Sequence, residues 1–426
     1  MANPAIIYWF RNDLRIHDNP VFFKALESEA PIIPVFIIDD IWFDADHPEL
    51  GFPRTGSKRK IFLAETLKDL KLTLQKHGNT LFIFKGNTFE ILNELSKEIK
   101  CTKIIAQKEF AWEEIEIEKA VMKQLPLELH YGSMLYQPDQ VDFPVEKSPF
   151  YYTRFKNKVL NQPYSPQPKK QQLTENINWS ENEISLKNTK NFNPEDWIND
   201  TEYSKFKGGE SRALKRMNEY LNSEGVGQYK KTRNLFEGEN FSSQLGPWLA
   251  NGALSPRILY EKLKQRMSQN PEESESINTI IEQLIWRDNF RFLFLRYGRN
   301  FFLTKGLRKT PHGMYNDFEA FEMWRKGQTG QPIIDALMHE LEATGFMSNR
   351  GRMLVSYYLA KELKVNWQWG AAWFESVLID YDVYNNYGNW AYQSGRGTDS
   401  RVNRKFNLET QTKKFDPERT FIKKWS

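Results

Sequence analysis

The chain has 426 residues, 40% hydrophobic and 27% charged, a formal net charge of +4 and one cysteine. That length exceeds a single small core and predicts two domains, while no apolar run approaches the roughly 18 residues that cross a bilayer. Cys101 alone excludes an internal disulfide and fits a reducing, cytoplasmic compartment; the charge permits nucleic-acid binding without demanding it, because a local basic stripe matters more than the sum.

In chain order, Ile6–Phe10 is a short apolar run that meets Arg11, Asp13 and Arg15 at once, so it reads as a buried strand rather than a signal peptide. Ile32–Ile38 is a second, β-branched run, and Leu81–Phe84, Lys103–Ala106 and Glu128–Tyr131 read as further strands. Between them, Lys58–His77 carries apolar residues at helical spacing up to Gly78, and helices are predicted at Thr88–Ile99 and Glu113–Gln124. This alternation predicts a parallel sheet wound on both faces over 1–134. From 135 to 204 Pro, Asn, Gln, Ser and Lys dominate, which predicts a connection docked on both domains. From 205 to 426 the pattern is helical, with predicted helices at Glu210–Leu221, Pro256–Met267, Ile277–Tyr297, Pro332–Thr344 and Asn349–Leu363. The fold class is therefore an α/β doubly wound parallel-sheet domain followed by an all-α domain.

Common catalytic motifs are missing from the sequence. It has no G-x-G-x-x-G, no P-loop, no G-x-S-x-G and no His or Cys cluster at metal-ligand spacing, so no metal is predicted and a cofactor is expected to carry any difficult chemistry. Eight of the 13 tryptophans lie from Trp248 onward, which reads either as a large aromatic core or as stacking and electron-transfer stations. The densest polar constellation runs from Asn349 to Asn407. Asn349, Arg352 and Met353 share one helix face. Asp380 and Asp382 follow an apolar run and need partners if buried, for which the fork of Arg352 is suited. An ion pair that only locks two helices is the alternative.

Tyr8-Trp9-Phe10-Arg11-Asn12-Asp13-Leu14-Arg15-Ile16-His17-Asp18-Asn19 resembles the opening strand and loop of the photolyase/cryptochrome family. The helical half is similar to that family's FAD domain at Leu254-Ser255-Pro256-Arg257, Leu284-Ile285-Trp286-Arg287-Asp288, Thr344 to Arg352 and Asp380 to Trp390. Phe346-Met347-Ser348-Asn349-Arg350-Gly351-Arg352 and Asn386-Tyr387-Gly388-Asn389-Trp390 are most similar to the DASH cryptochrome branch. The resemblance spans residues from about 5 to 425.

It implies an FAD-binding domain. The positions that match flavin contacts are Tyr229, Ser242, Ser243, Gln244, Leu245, Gln283, Trp286, Asn349, Arg352, Asp380, Asp382 and Asn386, with Asn386 facing flavin N5. Gly246 stands where relatives often have a serine. Electron-passing tryptophans match Trp390 and Trp367. The outermost of the series falls near Met314, in Pro311-His312-Gly313-Met314-Tyr315, where Tyr315, Trp369 or Trp373 are the available substitutes. In the lesion pocket, Asn349 and Met353 stand where (6-4) enzymes carry histidine. Trp286 matches one base-contacting tryptophan, Tyr392 replaces the second, and Gln283 replaces a glutamate. Arg233, Arg350 and Arg404 match phosphate contacts, and Glu109 matches an acid contacting a folate antenna chromophore (5,10-methenyltetrahydrofolate). The implied activity is a blue-light-driven, deoxyribodipyrimidine photolyase-type lyase acting on cyclobutane pyrimidine dimers in single-stranded or looped DNA. A photoreceptor that signals without repair is the rival. A monomer without a membrane partner is expected.

Overall fold

The computed structural model describes the chain apart from residues 1–3, 171–172, 174–176, 180–183, 185, 187–190, 199–203, 309–312 and 402–403. Strands β1 (Ile6–Phe10), β2 (Ile32–Asp39), β3 (Phe82–Gly86), β4 (Lys103–Gln107) and β5 (Leu127–His130) form one parallel sheet in the order β3-β2-β1-β4-β5. In register, Ile6 lies opposite Ile32 on one side and Lys103 on the other. Every residue of β1 and β2 is buried, as expected of strands covered on both faces. Their period of two sorts the side chains: Ile6, Tyr8 and Phe10 join one core, while Ile7 and Trp9 join the other.

The helices Ser57–Lys76, Thr88–Glu98 and Trp112–Met122 cover the sheet. Each lies within two residues of its predicted bounds, and local capping explains one start: the Asn87 side chain accepts from Glu90 N. Because the chain winds from β1 to β3 and then returns to the far side of β1, a crevice opens beyond the strand ends between β1 and β4.

The rest is helical: Glu210–Leu221, Gly225–Thr232, Gly246–Ala250, Pro256–Gln269, Ser274–Tyr297, Phe318–Arg325, Pro332–Thr344, Asn349–Tyr357, Trp367–Val377, Val383–Gln393, Leu408–Phe415 and Thr420–Trp425. The predicted helix to Leu363 instead ends its α portion at Tyr357 and runs on as a π-turn, Tyr358–Glu362. Among the described residues no helix is long and apolar enough to cross a membrane.

The charged loop after β1 joins the domains. Asp13 accepts the Tyr8 hydroxyl at 2.5 Å, Asp18 takes Arg257 at 2.9 Å, and the Glu210 carboxylate receives the Ile16 and His17 amides at 2.8 Å each. Gly252 sits so close to this loop that a Cβ there would lie 2.0 Å from Asn12 O. The described parts of the connection touch both domains. Trp179 donates to His77 O at 2.6 Å, Leu135 and Tyr136 donate to Asp288 at 3.0 and 2.7 Å, and the helix Tyr152–Leu160 lies against Ser274–Tyr297.

Candidate functional site

The helical domain closes around a cavity of about 560 Å³. One wall is the Ser274–Tyr297 helix, which sends in Gln283, Trp286, Arg287 and Phe290, spaced three, four and seven apart and so on one face. The helix Asn349–Tyr357 supplies Asn349, Arg352, Met353 and Ser356 by the same spacing, and Ser348 caps it by accepting from Gly351 N. The helix Val383–Gln393 supplies Asn386, Trp390 and Tyr392, while Tyr229, Arg233 and the turn Ser242–Leu245 complete the lining.

Two carboxylates stand in this wall, each with an arginine. Arg352 Nη2 donates to both oxygens of Asp380 at 3.0 and 2.9 Å, and its Nε donates to Met347 O. Arg352 is thus the partner anticipated for a carboxylate, but only for Asp380. Asp382 pairs with Arg291 at 2.6 Å through one oxygen and caps the helix Val383–Gln393 through the other, accepting from Asn385 N at 2.9 Å. Arg291 was not singled out from sequence. The signal was available: Arg287 and Arg291 interrupt an apolar helix, and buried charges need partners. Arg287 is buried, donates to Ser133 O and Leu249 O, and burial together with the nearby Arg291 charge holds its guanidinium down to about 9.

All twelve positions read as flavin contacts line this one cavity. Its donor set suits a dinucleotide carrying negative charge. Arg287 and Arg352 stand in the wall, and Ser242 and Ser243 offer hydroxyls beside Gln244, whose φ of 54° turns the backbone sharply. Arg287 Nε and Trp390 Nε1 have no hydrogen-bond partner among the described residues. Gly246 has a reason of its own, since a Cβ there would lie 2.8 Å from Asp380 Oδ2. Asn386 uses its Nδ2 on Ala371 O at 2.9 Å, which leaves the amide oxygen as an acceptor.

Trp390 is buried and packs on Phe374 at 5.2 Å and Trp324 at 5.9 Å; Trp324 carried no sequence signal. Trp367 is fully buried outside the lining, its Nε1 on Thr304 O at 3.0 Å, at the start of the helix that packs on Trp390. Pro311 and His312 lie outside the described residues. Met314 is partly buried, and Tyr315 is 63% exposed, its backbone paired with Lys364 and Asn366 just before Trp367. Trp369 and Trp373 sit in aromatic packing, Trp369 against Phe318 and Phe321 and Trp373 against Phe52.

At the mouth, Trp286 and Tyr392 meet at 5.8 Å with their rings perpendicular. Gln283 accepts from Arg233 at 3.2 Å and donates to Thr279 O. Asn349 Nδ2 lies 3.9 Å from Met353 Sδ. Arg404 lines the rim with Arg401, another residue sequence reading missed. Arg350 points elsewhere: it donates to Asn234 at 2.7 Å and covers the Phe415 ring.

A second cavity, of about 190 Å³, occupies the crevice between the domains, with Trp9, Asn12, Phe36 and Thr88 on the sheet side and Asp382 shared with the larger cavity. Glu109 stands behind its wall, 1% exposed, accepting the Tyr384 hydroxyl at 2.8 Å and the Gln107 amide at 3.1 Å. Glu114 does line it. Burial and the neighbouring Glu109 push its carboxyl well above the usual carboxylate range.

Residues 6–172 match the family described as DNA photolyase, and residues 280–426 match the FAD binding domain of DNA photolyase. A cryptochrome DASH from Synechocystis is 37% identical over 99% of this chain and 87% of its own length. One from Xenopus laevis is 36% identical over 99% of this chain and 82% of its own. The crystal structure of a Synechocystis cryptochrome superposes with a TM-score of 0.93 at 35% identity, covering 100% of this chain and 89% of that one. A class III photolyase from Agrobacterium tumefaciens shares the fold, at a TM-score of 0.83 and 24% identity over 100% of this chain and 87% of that one.

Proposed function

From membership of the photolyase/cryptochrome family, to which this chain belongs as an FAD flavoprotein of the DASH cryptochrome type, we propose that it is a blue-light-driven lyase repairing cyclobutane pyrimidine dimers in single-stranded or looped DNA. One observation carries the reading: the flavin-matching residues and the base-stacking pair Trp286 and Tyr392 line one continuous cavity. Bound FAD supplies the chemistry, a photoexcited electron donor for opening the cyclobutane ring.

The chain's own residues do the rest. Arg352 with Asp380 and Arg291 with Asp382 hold the cavity's polar wall in a fixed shape. The free oxygen of Asn386 offers an acceptor without the negative charge of a carboxylate. Trp390 and Trp367 serve as electron stations. Trp286 and Tyr392 receive bases turned out of a strand, and Arg233 and Arg404, which line the cavity, meet its phosphates. Base–aromatic stacking is worth roughly 1–3 kcal/mol per base. Phenol in place of indole at Tyr392 gives up part of that, an amount comparable with the few kcal/mol that flipping from a duplex costs. The preference for single strands follows. Asn349 and Met353 provide no imidazole, which argues against (6-4) lesions. Gln283 hydrogen-bonds but supplies no acidic proton, so repair yield is low. A folate antenna in the crevice between the domains and a monomeric, cytoplasmic protein belong to the same proposal. Relatives from Solanum lycopersicum and Arabidopsis thaliana carry the designation chloroplastic/mitochondrial.

The test is blue-light illumination, with reductant, of single-stranded and duplex oligonucleotides that each hold one cyclobutane thymine dimer. Thymine absorbance should return mainly in the single strand, and Gln283→Glu should raise the yield per photon. Equal turnover on duplex refutes the strand preference. No return of absorbance while the flavin photoreduces transfers the protein to the photoreceptor reading.

A further inference from the structure

The face of Trp286 turned away from the cavity is already occupied. Tyr152, in the first turn of the helix Tyr152–Leu160, lies flat on the indole with ring centroids 3.7 Å apart and planes 12° from parallel. That is the shortest ring separation among the described residues. The tyrosine is held there from its own helix. Its hydroxyl donates to Glu282 O at 2.8 Å, and Lys156, one turn on, pairs with the Glu282 carboxylate at 2.9 Å. Phe290 stands 5.7 Å from the indole and Tyr392 meets it at right angles.

We infer that Tyr152 is a positioning residue that reserves Trp286 for a lesion: it fixes the plane of the indole and denies one of its two faces to DNA. An indole with both faces open accepts any base of a flexible strand, because every base has a π-face. With Tyr152 in place a base can reach Trp286 only from the cavity side, in the corner that Trp286 and Tyr392 form at 90°. Two bases joined covalently as a wedge fit such a corner. Ordinary neighbouring bases stacked in parallel do not. Selectivity for damage is thereby set partly by a segment outside the cavity, on the connection between the domains. This inference rests on the reading of Trp286 as a base contact.

The test is dark binding of fluorescently labelled single-stranded oligothymidylate, with and without one cyclobutane dimer, to the FAD-loaded full chain, read by anisotropy. Tyr152→Ala should lower the ratio of the two dissociation constants about tenfold, the weight of one base–aromatic stack, by tightening the undamaged strand and loosening the damaged one. Tyr152→Phe keeps the ring and should hold the ratio within about twofold. A fall in affinity for both strands by the same factor, or an unchanged ratio in Tyr152→Ala, overturns the inference. Trp286→Ala separates the two levels. If it leaves dimer binding unchanged, the base-contact reading fails and takes the inference with it. If it weakens dimer binding while Tyr152→Ala leaves the ratio alone, only the inference fails.

Discussion

Gly370 lies inside the helix Trp367–Val377, where glycine costs about 1 kcal/mol relative to alanine. Gly370→Ala should therefore stabilise an isolated helix, yet here it is expected to destabilise the protein. A Cβ at 370 would lie 2.2 Å from Cη2 and 2.6 Å from Cζ3 of Trp390, and 2.6 Å from Cδ2 of Leu359. Ordinary carbon contacts are about 3.5–4.0 Å, so the indole must retreat by more than about 1 Å. Trp390 is 2% exposed and boxed by Phe374 and Trp324, so it can give way only toward the cavity. Overpacking of this kind costs about 1–3 kcal/mol. With the upper end set against the helix gain, the net loss is about 2 kcal/mol. Denaturation of Gly370→Ala, Trp390→Phe and the double variant would measure it, with the flavin-to-protein absorbance ratio recorded in parallel. Phenylalanine lacks both of the offending ring carbons, so the double variant should be more stable than the sum of the singles by about 1–2 kcal/mol. A Gly370→Ala protein as stable as the parent, or strict additivity, would refute the packing argument.

Arg352→Ala should cost about 2 kcal/mol and lower FAD content, because it strands the Asp380 carboxylate, 11% exposed, without its cation; Asp380→Asn should cost less, and denaturation with flavin absorbance distinguishes the two. Burial pushes the Glu340 carboxyl up to about 8 from an ordinary 4.5. The folded state then holds the extra proton between those values, so stability falls as pH rises through that window. Glu340→Gln should flatten the difference in melting temperature between pH 6 and pH 8, and an unchanged difference counts against this assignment. Arg233→Ala and Arg404→Ala should each reduce the slope of log affinity against log salt for single-stranded DNA by about 0.7, measured in the dark.

The five strands and the helices over the sheet are legible in the sequence to within a few residues, and the twelve positions matched to flavin contacts all line one cavity, whereas the helices Trp367–Val377 and Val383–Gln393 are not marked by the same periodicity. The reasons are local. Apolar residues at a period of two or 3.6 mark a buried face, and Asn87 and Ser348 cap their helices through neighbours three residues away. Asn349, Arg352 and Met353 line the cavity together because helical spacing alone puts them on one face. Packing decided the rest. Asp382 and Arg291 are 91 residues apart and meet only when two helices close on each other. Glu109 is spent on Tyr384, Arg350 turns to Asn234 and Phe415, and Tyr152 comes from the connecting segment to lie on Trp286. No spacing rule links such residues, since their contact depends on how finished elements stack rather than on what stands three or four places away. Local periodicity and capping mark a strand or helix and the face it buries, whereas which buried charges pair and which ring faces stay open depends on how distant elements pack.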